Sequence, residues 1–321
     1  MNRDSLTYMA RIRIAEPVFW VLALASPWLL REHSLIINEI AIVALFALSL
    51  DLILGFTGVV SLGQAAYFGF GAYAAALFAK HIHPEPLLGL AFGICSAAAL
   101  GALCAPTIMR GTDLTRIMVT LGIALILSEL ANKLTWLTGG ADGLQGIMIG
   151  PIMGRFEFDF HGQTAASYSL VVLFLFFALA RCWMTSPLGA TLKAVRDNSL
   201  RSMAIGIPVN SRIWVVYTAS AALAGAAGAL LGQTTSFVSL DVFALERSAD
   251  VLLMLVIGGI GWLYGGIAGA IVFKLLHDLI AGVTPQYWTF WLGLFLVVLV
   301  MVGRDRLLRP WTWLGKERAR S

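Results

Sequence analysis

The chain has 321 residues, of which 59% are hydrophobic and only 12% charged, with a mean hydropathy of +0.84. Soluble domains run nearer half and a quarter, so the composition excludes an ordinary soluble protein and predicts an integral membrane one. The formal net charge of +4 does not argue for nucleic acid, because the basic residues sit in loops and in the tail beside apolar runs, where membrane topology accounts for them.

Apolar runs fall at about 17–30, 35–54, 57–79, 87–109, 116–137, 164–183, 213–233, 249–260, 262–282 and 287–303. A helix needs about 20 apolar residues to cross roughly 30 Å of hydrocarbon, so the pattern predicts an all-α membrane protein with about ten transmembrane helices. An outer-membrane barrel would alternate at period two instead. The first run, with basic residues before a short apolar core and "ALASP" at its end, also has the form of a signal peptide. We read it as retained, because its removal leaves nine crossings and breaks the charge agreement that follows. Arg3, Arg11 and Arg13 precede the first run, Lys193, Arg196, Arg201 and Arg212 follow the sixth, and Arg304, Arg306, Arg309, Lys316, Arg318 and Arg320 follow the last. Ten crossings put all three clusters on the cytoplasmic side. The expected organisation is therefore a cytoplasmic segment 1–16, a transmembrane domain 17–303 with a cytoplasmic loop at 184–212, and a basic cytoplasmic tail 304–321.

The third run contains "LGFTGVVSLGQAAYFGFGAYAAALF", residues 54–78. Gly55, Gly58, Gly63, Gly69 and Gly71 thin almost every face of it, as close helix contacts inside a membrane require. Gln64 and Ser61 must face neighbouring helices or a wet path, since an amide left in lipid is costly. Gln64 either ties two helices together or lines a transport path. Asp51 either marks a helix end near the cytoplasmic headgroups or is a functional intramembrane carboxylate. Asp51, Gly58, Ser61, Gly63 and Gln64 are the candidates for the path.

Farther along, "HIHPE" at 81–85 has two histidines and a carboxylate, but no third strong ligand is nearby in sequence, so no metal site is expected. Cys95, Cys104 and Cys182 fall in or at the ends of apolar runs and read as packing residues. "TGGADGLQGI" at 138–147 opens the largest external loop; it is no Walker A loop, and Gly139, Gly140, Gly143 and Leu144 form either an ordered turn or a contact for an external protein. Residues 186–212 predict one short helix between two crossings, with Pro187 in its first turn and Gly206 as its stop. Leu188, Leu192, Val195, Ser199 and Met203 share one stripe of that helix, with Lys193, Arg196, Asp197 and Arg201 on other faces. Such a helix could lie among headgroups or present a knob to a soluble partner. "GGIGWLYGG" at 258–266 is either a turn between two helices or a break in one.

These segments together resemble the membrane subunits of branched-chain amino acid ABC importers, from about residue 35 to 300. "LDLILGFTGVVSLGQAAYFGFGAYAAAL" is similar to their opening signature. Ser186, Gly189, Ala194, Arg196, Asp197, Asn198, Ala204, Gly206 and Ile207, followed by "SAALAGAAGAL", are similar to their cytoplasmic loop. The Gly-Gly-x-x-Gly-Leu run of the external loop occurs here with Met148 in place of a proline, and "MLVIGGIGWLYGG" matches the last signature except at Trp262 and Gly266. The usual closing Pro-x-Gly-Leu is absent, and "MVGRDRLL" stands there. The resemblance implies a multi-pass permease of the bacterial inner membrane that needs no cofactor. Implied partners are a second homologous permease subunit, two cytoplasmic ATP-binding subunits and a periplasmic substrate-binding protein. It further implies that Leu188, Leu192, Lys193, Val195, Arg196, Asp197 and Arg201 couple the permease to those ATPases. Gly69, Gly71, Gly258, Gly259, Gly261, Gly265 and Gly266 are expected to pack helices. With no nucleotide motif and no catalytic cluster, the chain is expected not to be an enzyme. The substrate class implied is an aliphatic amino acid; urea or a short amide in the same kind of permease, or an ATP-independent secondary transporter, are the alternatives.

Overall fold

The computed structural model describes residues 15–111, 113–159 and 161–283, with a few positions between 290 and 297. The leading arginine cluster, nearly all of the tenth run and the tail 304–321 lie outside the described residues. Everything described is helix, turn or loop, apart from two isolated bridges, Leu144 with Val238 and Ile152 with Phe156.

The main helices are α1 (Ala15–Leu29), α2 (Ser34–Leu50), α3 (Gln64–His81), α4 (Pro86–Met109), α5 (Asp113–Lys133) and α6 (Gln163–Thr185). They continue as α7 (Pro187–Asp197), α8 (Ser199–Ala204), α9 (Val209–Thr235), α10 (Leu245–Gly258) and α11 (Leu263–Val283). Six stretches among the described residues are long and apolar enough to cross a membrane: Arg31–Gly55, Pro86–Met109, Leu114–Lys133, Gln163–Thr185, Val209–Thr235 and Leu263–Ile280. The chain is thus a multi-pass, all-helical membrane protein.

Helix α9 is the centre, packed against α4, α3 and α2. Its alanine and glycine content makes this possible. A Cβ on Gly225 would overlap that of Ala97, and one on Gly71 would overlap the Gly225 backbone. Lipid gives helices little hydrophobic reason to pair, so such backbone contact is what holds them. Helix α1 docks on α6 through Trp20, whose ring lies 5.0 Å from those of Phe174 and Phe177, and through an ion pair between Glu16 and Arg181.

Two expectations change and one alternative is selected. The run at 57–79 is not one helix: residues 58–63 are unwound, and α3 starts only at Gln64. Hydropathy does not register the break, because an unwound apolar segment and a helical one have the same composition. Of the two alternatives for 258–266, the structure has the turn between two helices: the runs at 249–260 and 262–282 are α10 and α11, folded against each other about Gly259–Trp262. Gly259 (φ 109°) and Gly261 (φ 79°) take left-handed backbone that a side chain disfavours. The loop helix is also two, because Asn198 leaves the helical region and its Oδ1 caps α8 by accepting the Arg201 N–H at 2.9 Å. Of the cysteines, Cys104 is half-buried, whereas Cys95 and Cys182 lie on the outer surface of the chain.

Candidate translocation and coupling sites

Helix α2 ends in one wide turn, Asp51–Gly55, before the chain unwinds. Irregular backbone in a membrane protein needs protein partners for its polar groups, and three N–H groups here find them in side chains. Leu62 N–H donates to Thr120 Oγ1 at 3.4 Å, Gly63 N–H to Ser61 Oγ at 3.3 Å and Ala65 N–H to Ser248 Oγ at 3.0 Å. Gly63 is required by space, since a Cβ there would overlap the Thr120 carbonyl. Gly58 turns the chain at φ 74° and is the one path candidate left exposed.

Gln64 donates to Ser220 Oγ at 2.5 Å and to Ser49 Oγ at 3.4 Å, and Ser220 Oγ in turn donates to the Ser49 carbonyl at 2.6 Å. One amide therefore joins α2, α3 and α9. Beside it the hydroxyls of Tyr67 and Tyr217 meet at 2.8 Å. Ser61, Gly63 and Gln64 are all buried within the chain; the hydrogen bonds of Gln64 tie helices together, whereas the Gly63–Ser61 bond is local.

Asp51 is 0% exposed. Its Oδ1 accepts the Gly261 N–H at 2.7 Å, which pins the α10–α11 turn to the end of α2, while its Oδ2 is buried with no hydrogen-bond partner among the described residues. A side chain at Gly55 would strike Asp51 Oδ1 and the Gly261 backbone. Arg196 of α7 reaches the same place: Nη1 donates to the Gly55 carbonyl, and a Cβ on Gly261 would meet that nitrogen at 2.9 Å. Lys193 lies 5.8 Å from the centre of the Phe56 ring. The structure thus brings Asp51, Gly55, Gly58 and Gly261 together with Lys193 and Arg196, residues from three separate sequence motifs. No sequence signal links them, because the contacts span 141 and 210 positions.

Within the loop, Leu192 and Val195 are buried against the chain's own helices, and Leu188 is half-buried. Asp197 and Arg201 are exposed. Helix α8 and the turn after it display Leu200 at 77% and Ile205 at 70% exposure, with Met203 beside them. Sequence reasoning missed Leu200 and Ile205 because it ran one stripe through both helices.

The remaining packing glycines behave as contact points. A Cβ on Gly69 would lie 2.5 Å from the Phe243 ring; Gly258 crosses Gly265, and Gly266 sits against Ala47 and Leu48. In the loop at 138–147 Gly139 (φ 78°), Gly140 (φ 60°) and Gly143 (φ 73°) form tight turns, and buried Leu144 pairs with Val238 through N–H···O contacts of 2.8 and 3.2 Å. His83 Nδ1 accepts the Glu85 N–H at 3.2 Å, and no group of three metal-binding side chains occurs among the described residues.

A sequence model of the family described as "Branched-chain amino acid transport system / permease component" matches residues 34–303. The high-affinity branched-chain amino acid transport system permease protein LivM of Escherichia coli is 28% identical over 91% of this chain and 73% of its own length. The protein of the same name from Salmonella typhimurium is 29% identical over the same shares. A fructose import permease protein, FruG of Bifidobacterium longum, is 27% identical over 36% of each chain. No solved structure matches.

Proposed function

Because the chain belongs to the permease components of branched-chain amino acid transport systems, we propose that it carries aliphatic amino acids inward as one membrane subunit of a binding-protein-dependent importer. The observation that carries this reading is the family match across residues 34–303, which includes every motif described above. The chain is a transport subunit of a bacterial inner membrane, and ATP hydrolysis is assigned to two cytoplasmic partners. A second homologous permease and a periplasmic binding protein complete the assembly. Ten crossings with both termini cytoplasmic fit the basic clusters.

In this scheme the loaded binding protein docks on the outer loops, where Gly139–Leu144 form a rigid turn. Closure of the ATPase pair pushes on α7 and α8. Leu192 and Val195 anchor that loop to the permease, while Leu188, Asp197, Arg201 and the neighbouring Leu200, Met203 and Ile205 offer an apolar knob with a charged rim. Arg196 and Lys193 pass the displacement to the Asp51–Gly261 junction, and from there to the unwound segment 58–63. Asp51, Gly58, Ser61, Gly63 and Gln64 are then the hinge region of the path. A packed interface with two arrangements is what such a transition needs.

The test is purification of the assembled complex. Leu200→Asp and Ile205→Asp are expected to abolish co-purification of the ATPase subunits while the permease still inserts. Wild-type co-purification together with wild-type leucine uptake in both variants would refute the coupling assignment.

A further inference from the structure

A second cluster of charge lies away from these motifs. Lys274 of α11 forms an ion pair with Glu39 of α2 and another with Asp278, its Nζ 3.2 Å from Asp278 Oδ1. His277 Nδ1 is also 3.2 Å from Asp278 Oδ1. The crossing of α10 and α11 places Gly258 at Gly265 and Met254 at Gly269, and continuing this antiparallel register brings Asp250 level with Phe273, next to Lys274 and one turn from His277. Asp250 is half-buried, with Arg247 and Glu246 of its own helix as its nearer charges and His277 the one across the crossing.

Depth follows from helix geometry. In the proposed topology the Gly259–Trp262 turn, which touches Arg196 of the polar loop, lies at the cytoplasmic boundary. At 1.5 Å per residue, Asp250 lies about 12 Å, Lys274 about 16 Å, Glu39 about 18 Å and Asp278 about 22 Å from that level along their helices, all within a core of roughly 30 Å. The patch is nonetheless open: the Glu39 side chain is 51% exposed and that of Asp278 33%. Ionised groups at that depth are costly against hydrocarbon and face water or protein instead.

We infer that Glu39, Asp250, Lys274, His277 and Asp278 form a mixed-charge site on the shared face of α2, α10 and α11, where the ammonium and carboxylate of a zwitterionic amino acid bind during passage. This deepens the proposed importer function and rests on it. Both signs of charge are present, as a zwitterion needs; urea and short amides are neutral and need neither. A lysine ammonium has three N–H donors, and Glu39 and Asp278 take two of them, leaving one for a substrate carboxylate. The carboxylates give the substrate ammonium its partners. The side chain of the amino acid meets exposed Val272 and Leu275 on the same helix.

The experiment uses the complete complex in proteoliposomes, with Cys95, Cys104 and Cys182 replaced by alanine, and labelled leucine as the probe. Leu279→Cys, beside Asp278 and 70% exposed, is expected to react with a membrane-impermeant cationic thiol reagent, and leucine with ATP and binding protein is expected to slow that reaction. Leu103→Cys, on the exposed side of α4, is expected to stay unreactive. Lys274→Met and Glu39→Gln should assemble normally and lose about tenfold in leucine uptake, as expected for a charge-assisted contact. An unreactive Leu279→Cys in an assembled, transporting complex overturns the site, as does full uptake by the Glu39→Gln/Lys274→Met double variant. If the unaltered complex accumulates urea or acetamide and no leucine, the substrate reading itself falls; if it accumulates leucine and the variants match it, only the charged site falls.

Discussion

Two side chains decide how the unwound segment is held, and each can be tested alone. Gln64 bonds to side chains of two other helices, so Gln64→Leu leaves Ser220 bonded to the Ser49 carbonyl and Tyr67 in contact with Tyr217 but removes the amide's ties from α3 to α2 and α9. The expected loss is about 1 kcal/mol, the usual scale for a hydrogen bond between membrane helices, read as a lower unfolding temperature of the detergent-solubilised complex. Asp51 is a stricter case, because its Oδ1 is the acceptor for the Gly261 N–H. Asp51→Asn keeps a carbonyl oxygen there and should retain most stability; Asp51→Ala orphans the buried amide and should cost about 1 to 3 kcal/mol. Equal stability of the two variants would show that the bond does not hold the turn. The sequence made the importance of both residues legible, since an amide and a carboxylate in apolar runs must be accounted for. Their partners were not legible. Ser49 and Ser220 are ordinary serines 15 and 156 positions from Gln64, and Gly261 donates through its backbone.

At the scale of helices, glycine marks where elements touch, but what it touches sets the cost of replacing it. Gly71 faces the Gly225 backbone, which cannot rotate away, whereas Gly69 faces the Phe243 ring. That ring is stacked on Tyr73 with centroids 5.6 Å apart, so it yields only by breaking the stack. Gly71→Ala is therefore expected to destabilise more than Gly69→Ala, with Gly71→Leu beyond the 1 to 3 kcal/mol typical of overpacking and visible as lost complex abundance. Normal abundance of Gly71→Leu would place that face of α3 against lipid. The glycine-rich helices, the external turn and the paired α10–α11 region could be located from sequence because their small residues are unusual. The break at 58–63 could not, since Val59, Val60 and Leu62 continue the apolar run through it. The split at Asn198 was hidden for a related reason: the stripe from Leu188 to Met203 keeps helical spacing across a cap that interrupts the helix.

Across the whole molecule, the contacts sort the turns into two groups. Arg181 with Glu16, and Arg196 with Gly55 and Gly261, gather at one end. At the other, Lys80 donates to the Gln145 carbonyl at 3.0 Å, Gly150 N–H to the Pro84 carbonyl at 2.8 Å, and Leu144 pairs with Val238. Basic residues crowd the first group, which is the end the proposed topology puts in the cytoplasm by the positive-inside tendency. The assignment has a direct consequence for labelling in intact cells. In a chain whose native cysteines are replaced, Ser199→Cys lies at the exposed start of α8 and Met148→Cys on the opposite loop, where Met148 is 81% exposed. Because both positions are open in the chain itself, a difference in reactivity reports the side of the membrane rather than burial. Met148→Cys is expected to react with an impermeant thiol reagent before lysis, and Ser199→Cys only after it. Docked ATPase subunits would also shield Ser199→Cys, so the same labelling is repeated without them in inverted vesicles, where Ser199→Cys should now react and Met148→Cys should not. Reaction of Ser199→Cys from outside intact cells would reverse the orientation, and the coupling loop, the Asp51 junction and the ATPase assignment would fall together.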